Sequence, residues 1–379
     1  MKLCFFVHEC LMEAGHTRAM VELIRHLPKG AIEELHLVYF EGASSLELFP
    51  EFHGKIIHHK VPFKAIFPFL FKAIFFQVWC FILINLVLPP GIKKIGIGTA
   101  CLDIDFCNVQ FVQSQWEPYY FKDKSFLSIK TMYKKILFFY FKLCENYLFR
   151  KEGLKILALS DFVNSYLVNK FNISSKNIKT IYSSVNLKHF PLPNREKVIA
   201  KEELIQEHQE LLTLDLELPV YLFVGAYERK GLAKAISLLM EKPGAQFIII
   251  GKPEKGNSFQ FDDSLKIFKI AFTTHIQKFY ELSDVFIFPT IYEPYGLVIA
   301  EAAAMGNIVY VPKNNVGASE ILKGLKSVRF LEDIQELPFL KAPLSKDERI
   351  LNAQEVRQRL EDYSWEKASK KFLSFTYSS

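Results

Sequence analysis

The sequence predicts an α/β protein of two doubly wound parallel-sheet domains. Three observations predict it. Short apolar runs that read as buried strands alternate with helical stretches along the chain, the pattern of a parallel sheet covered on both faces. The alternation breaks over the charge-rich residues 188–218 and then restarts, which places a first domain over 1–187, a connection over 188–218 and a second domain over 219–362. The length of 379 residues gives each domain enough chain to bury its own core, and with 50% hydrophobic and 23% charged residues the chain is globular rather than disordered.

Taken in order, residues 3–7 read as the first strand, followed by a loop through Gly15 and a helix over 17–27. Runs at 35–40, 55–59, 93–98 and 109–113 read as further buried strands. Between them, the uncharged residues 73–88 are fewer than the roughly 20 that span a bilayer and contain Gln77 and Asn85. They predict a buried helix or an interfacial segment. Residues 156–160 make a strand, Asp161 opens a helix ending near Phe171, and 178–182 closes this half. The second half repeats the scheme, with strands at 220–224, 246–250, 269–272, 285–289 and 308–311 and helices at 230–241, 275–283 and 297–305. A final helix is expected at 365–375, after Tyr363-Ser364-Trp365. No short-period repeat is present, which argues against a solenoid.

Composition excludes several classes. A net charge of +6 over this length fits an anionic ligand or membrane surface but is too small to imply nucleic acid, and no RNP, helix-turn-helix or zinc-finger pattern supports one. The six cysteines form no C-x-x-C pair, so buried free thiols in a reducing compartment are expected. Residues 3–7 are too short an apolar run for a signal peptide. No G-x-S-x-G elbow suggests a hydrolase, and Gly96-Ile97-Gly98 lacks the third glycine of a dinucleotide loop.

The chemistry concentrates between Asp284 and Pro312. A buried strand runs into a loop with Glu293 and Gly296, and a helix beginning near Leu297 presents Glu301. Such a loop lies at the carboxyl end of a parallel strand, where open α/β sheets bind ligands. The N–H groups around Gly296 and Leu297 offer a seat for phosphate. The glutamates, eight residues apart, can accept hydrogen bonds from sugar hydroxyls. Upstream, a strand ends at Gly225 and is followed by Glu228-Arg229-Lys230-Gly231. Two preorganised cations placed there would stabilise an anionic group.

With these residues the chain resembles the retaining glycosyltransferases of the GT-B fold, family 4, whose hallmark E-x7-E is carried here by Glu293 and Glu301. The adjacent Arg229 and Lys230 look most like the branch that glucosylates lipopolysaccharide cores. The resemblance implies two facing Rossmann-like domains, a terminal helix over 363–379 that packs back on the first of them, and a nucleotide-diphosphate-sugar donor. It assigns Glu293 to the transferred sugar, Arg229 and Lys230 to the pyrophosphate, and Glu301 to the ribose. Gly15-His16 stands where the family places a glycine-rich loop near the donor phosphates. Residues 156–190, 316–320 and the Tyr363-Ser364-Trp365 triplet match the family's pattern too, with Asn186 where Asp is usual. A His commonly found at the end of an N-domain strand is replaced by Gln110 or Gln113, with His8 and His16 as the nearby alternatives. A cytoplasmic enzyme acting on a glycan or lipid-linked glycan follows, with no metal and no cofactor beyond the donor.

Competing readings are a nucleotide-sugar 2-epimerase and a non-catalytic scaffold of the same fold. Asp103-Ile104-Asp105 is a literal D-x-D, which in the other large glycosyltransferase fold binds metal; here it lies in the half without the phosphate motif. His58-His59 lacks ligand spacing and reads as a surface or strand-end pair. Residues 119–152 carry eight Lys or Arg against three acids among many aromatics. They read either as a face lying on an anionic leaflet or as a core helix with lysines outward.

Overall fold

A computed structural model describes residues 1–62, 68–122, 124, 128–240, 242, 244–253, 261, 265–333, 337–338, 340 and 341–377. The chain divides into two compact units, Met1–Ser183 with Trp365–Ser379, and Ser184–Ser364.

The first unit contains, in order, β1 (Lys2–Phe6), β2 (Glu9–Cys10), α1 (Gly15–Arg25), β3 (Glu34–Tyr39), β4 (Glu41–Gly42), α2 (Ser45–Leu48), β5 (Lys55–Lys60) and α3 (Phe69–Leu86). It continues with β6 (Lys93–Ile97), β7 (Phe106–Val109), α4 (Gln113–Phe121), α5 (Ile129–Phe149), β8 (Lys155–Ala158), α6 (Asp161–Phe171) and β9 (Ile178–Thr180). Seven strands form one sheet in the order β5-β3-β1-β6-β7-β8-β9, and every pairing is parallel. Helices cover both faces, so β1 buries Leu3, Cys4, Phe5 and Phe6 together instead of alternating. All six cysteines are buried and unbridged.

The second unit contains α7 (Lys197–Ile205), β10 (Val220–Val224), α8 (Leu232–Leu239), β11 (Gln246–Ile250), β12 (Lys266–Ile270), α9 (Ile276–Leu282), β13 (Val285–Ile287), α10 (Leu297–Ala304), β14 (Ile308–Val311), α11 (Gly317–Leu322), β15 (Val328–Phe330) and α12 (Lys346–Glu361). Its sheet is also parallel, ordered β12-β11-β10-β13-β14-β15. Chain order reverses between β10 and β13, so the loops after these two strands flank the switch point where such sheets bind ligands. The last helix, α13 (Trp365–Tyr377), belongs to the first unit, where Ser369 Oγ donates to Leu23 O at 2.7 Å.

Several boundaries differ from the sequence reading. Residues 109–113 are not a strand: β7 ends at Val109 and α4 begins at Gln113. The cause lies far along the chain, where buried Glu145 on α5 accepts the Gln113 and Ser114 N–H groups at 2.5 and 3.0 Å and so caps α4. The strand expected at 269–272 is β12, which begins earlier, at Lys266, and ends at Ile270. The helix expected from Lys230 starts at Leu232, because Gly231 adopts φ 80°, and its expected end at Glu241 lies outside the described residues. Residues 188–218 are part of the second unit: Lys197 on α7 pairs with buried Asp284 just before β13. Within 119–152, positions 123 and 125–127 lie outside the described residues.

Candidate active site

The loop after β10 and the loop after β13 meet at Gly231 and Pro289. Gly231 has φ 80°, and a Cβ there would stand 2.3 Å from the Pro289 carbonyl oxygen. Beside this contact, buried Thr290 donates from Oγ1 to Arg229 O at 3.2 Å. The sequence neighbours Arg229 and Lys230 are thereby fixed against the loop that carries Glu293. The Lys230 side chain runs back across Gly225, the first residue after β10.

The result is a convergence of charge. Arg229 Nη1 lies 3.4 Å from Glu293 Oε2, and Lys230 Nζ pairs with the same oxygen. Lys230 Nζ also sits 5.1 Å from the centre of the Phe288 ring, a cation–π contact. Its side chain is 10% exposed and that of Glu293 14%. Burial, and next the Arg229 guanidinium, push the Lys230 ammonium well below the ordinary lysine range. The Glu293 carboxylate opposes that push. Two cations meeting one anionic oxygen make a place that binds anions, and a phosphate could take over the carboxylate's contacts.

The Glu293 backbone is held as firmly as its side chain. Its N–H donates to Asn315 O at 2.8 Å, its carbonyl accepts from Gly317 N at 3.1 Å, and Ala318 N donates to Tyr295 O at 2.7 Å. These bonds stitch residues 293–295 to the start of α11, in the expected 316–320 segment. Gly296, at φ 96°, then turns the chain into α10. This places the N–H groups of Gly296 and Leu297 at a helix start, as expected.

Glu301 does not face solvent. It is 3% exposed on α10 and its Oε2 accepts from Tyr280 OH at 3.2 Å. Tyr280 is held in turn, its carbonyl accepting from Asn307 Nδ2 at 3.0 Å and from buried Arg349 at 3.3 Å. The Tyr295 hydroxyl is buried without a hydrogen-bond partner among the described residues. Burial first, then the nearby Glu301, raise its pKa, so it stays a phenol. Thr290, Tyr280 and Tyr295 are the residues that sequence reasoning missed. Nothing in their type marks them; Tyr295 lies inside the E-x7-E segment and Thr290 just before it, and that nearness is the one signal that could have drawn attention to them.

Gly15 and His16 belong to the first unit and start α1, after the strand β1 that borders its own switch point. His16 Nε2 lies 3.3 Å from Glu9 O. His8 is packed among Phe40, Phe69 and Phe76, and burial, then His16, lower its pKa to about 4, so its ring is neutral at pH 7. Gln110 Nε2 donates to Asn108 Oδ1 at 3.2 Å, and Gln113 is engaged by Glu145 through its backbone. Asp103 pairs with Lys94 and Lys151 at 3.2 Å each, and Asp105 accepts the Lys94 N–H at 2.8 Å, so both carboxylates of the D-x-D are engaged by the protein. His59 Nε2 lies 2.8 Å from His36 Nδ1, and His58 Nδ1 lies 2.8 Å from Tyr39 OH.

Residues 218–337, which contain this site, match the family model described as Glycosyl transferases group 1. The chain is 27% identical over 188 residues to an uncharacterized glycosyltransferase of Methanocaldococcus jannaschii, a match covering 47% of this chain and 46% of that one. The chain therefore spans about half the length of that relative. Over nearly its whole length it resembles two solved structures. WaaG, a glycosyltransferase involved in lipopolysaccharide biosynthesis, superimposes with a TM-score of 0.68 at 12% identity over 98% of this chain and 95% of that one. Anabaena HepE in complex with UDP and glucose does so with a TM-score of 0.64 at 12% identity over 100% of both chains. The chain thus has the GT-B fold of two parallel-sheet α/β domains, and within its second unit residues 218–337 are similar to the glycosyl transferases group 1 model.

Proposed function

We propose that this protein is a retaining, metal-independent glycosyltransferase of the family 4 type. It moves a hexosyl group from a nucleotide-diphosphate sugar to a glycan or lipid-linked glycan acceptor of the cell envelope, at the cytoplasmic face of the membrane. The observation that carries the reading is the convergence of Arg229 and Lys230 on Glu293 Oε2 at the second unit's switch point.

When the donor binds, its diphosphate replaces the Glu293 carboxylate as the partner of both cations. Negative charge grows on the leaving diphosphate as the glycosidic bond breaks, so fixed cations stabilise the transition state more than the ground state. The N–H groups of Gly296 and Leu297 add to that anion site, and Gly225 lets the chain approach the phosphates closely. Glu293, released from its ion pairs, orients the transferred sugar. Glu301 accepts from the ribose hydroxyls in exchange for its bond to Tyr280. HepE was solved with UDP and glucose, which makes uridine diphosphate sugars the first donors to try.

A thermal-shift screen with UDP-, GDP-, ADP- and CMP-sugars, with and without EDTA, tests the reading, since ligand binding to the native state raises Tm by mass action. One nucleotide class should raise Tm regardless of EDTA. Lys230→Ala should lower kcat by roughly 10²- to 10³-fold, the cost of losing one preorganised charge contact. NMR of the product should show the donor's anomeric configuration kept. Absence of any shift up to millimolar donor would select the non-catalytic scaffold. Conversion of the donor sugar without an acceptor would select the 2-epimerase.

A further inference from the structure

We propose that α3 and α5 together form a docking surface for an anionic lipid bilayer, with α3 lying in the plane of the interface. The inference rests on the first unit's surface alone and is independent of the catalytic reading.

Each helix has two faces. On α3, Ala73, Phe76, Cys80 and Leu83 are buried, while Phe71, Ile74, Val78 and Phe81 on the opposite side are exposed, Phe71 at 58% and Phe81 at 65%. On α5, Ile129, Met132, Ile136, Phe139 and Leu143 are exposed at the same three-and-four spacing, Phe139 at 61%. Residues so spaced share one helix face. The two helices are neighbours: Ala73 shares a buried cluster with Leu137 and Phe141, and Leu70 N donates to Tyr133 OH at 3.2 Å. Two adjacent stripes of large apolar side chains in water are an interaction surface rather than scattered exposure.

Charge identifies the occupant. Residues 119–152 hold eight Lys or Arg against three acids, and one of those acids, Glu145, is buried against the start of α4. An apolar stripe flanked by lysines is complementary to acyl chains beneath anionic headgroups. A second copy of the chain fits worse, because a two-fold contact through this face would set the α5 lysines against their own counterparts.

By length and composition Phe69–Leu86 could cross a membrane. Its other face, however, is part of the first unit's core. Gln77 anchors it, donating to Thr99 O and Ala100 O at 2.7 and 2.9 Å and accepting from Leu102 N at 3.0 Å. A spanning helix would forfeit these contacts, whereas a helix lying along the interface keeps them.

The test is flotation of the full chain with phosphatidylcholine vesicles, with and without phosphatidylglycerol, at low and high salt. The variants are Phe81→Ser with Phe139→Ser, and Lys130→Glu with Lys135→Glu. All four side chains are exposed, and melting followed by circular dichroism confirms that each variant folds. Wild type should float with the phosphatidylglycerol vesicles and be released by salt. The double serine variant should lose roughly tenfold or more in partitioning, and the double lysine reversal about fivefold or more on anionic vesicles only. A wild type that stays in solution with both vesicle types overturns the proposal, as does a double serine variant that floats like wild type. A dimer by light scattering that the serine variant dissociates, with no vesicle binding, would assign the face to a second copy instead. Donor-induced thermal shifts in these variants should match wild type, so failure here leaves the second unit's reading standing.

Discussion

At Gly231 the chain has no room for a side chain, because its Cβ would stand 2.3 Å from the Pro289 carbonyl and its φ is 80°. Gly231→Ala must therefore separate the loops after β10 and β13, and should cost about 2–4 kcal/mol through left-handed strain and overpacking. Gly15, where a Cβ would meet nothing within 4 Å, is the control: Gly15→Ala should change stability by no more than about 0.5 kcal/mol. Urea denaturation of both variants checks the contrast, and equal effects would remove the close approach as the reason for glycine. The same comparison explains what was legible at this scale. The run Glu228-Arg229-Lys230-Gly231 and the eight-residue spacing of Glu293 and Glu301 stood out as local patterns. That Arg229 and Lys230 share one oxygen of Glu293 did not, because Arg229 and Glu293 stand 64 residues apart in sequence. Nor did the Tyr280 bond to Glu301, since a tyrosine in an apolar helix is an ordinary core residue.

Among the elements, α3 shows how one polar side chain decides the fate of an apolar helix. Replacing Gln77 by Leu makes the segment more hydrophobic by composition, yet it deletes three hydrogen bonds and leaves the Thr99 and Ala100 carbonyls and the Leu102 N–H to find new partners. Gln77→Leu should therefore destabilise the first unit by about 2–4 kcal/mol, in the range set by several unmet polar groups. Chemical denaturation monitored by tryptophan fluorescence would measure it. A stabilised variant would mean that the apolar environment, rather than the anchor, fixes the helix. In the sequence Gln77 already argues against a span, but its partners are invisible there, since they come from the loop between β6 and β7. The strand expected at 109–113 failed for a related reason. Its apolar start is genuine, but Glu145, on a helix and 32 residues beyond Gln113, organises Gln113 and Ser114 as a helix start. Periodicity within a window carries no trace of a cap supplied from outside it.

For the whole molecule, the parallel alternation of strands and helices was legible because sheets buried on both faces need continuous apolar runs, and these survive in both halves. The charge-rich residues 188–218, expected as the interdomain connection, fall within the second unit, where the ion pair of Lys197 with Asp284 ties them to the second sheet. The return of the terminal helix has a physical consequence for the two units. Trp365, Phe372 and Phe375 are buried on the first unit, Phe375 meets Phe106 at 6.4 Å, and Lys93 donates to Thr376 O. Truncation after Ser364 removes all of these contacts and exposes the apolar surface they cover, a loss of about 5–10 kcal/mol, comparable with the stability of a whole domain. The first unit should then unfold although 183 of its residues remain, while the second unit, whose sheet takes nothing from the terminal helix, should stay folded. Hydrogen exchange read by mass spectrometry separates the two. Protection should be lost in β1, α1 and β6 and retained in β10, β11 and β13. Loss throughout would mean that the second unit needs the first in order to fold. Retention throughout would mean that the first unit's core is complete without the returning helix.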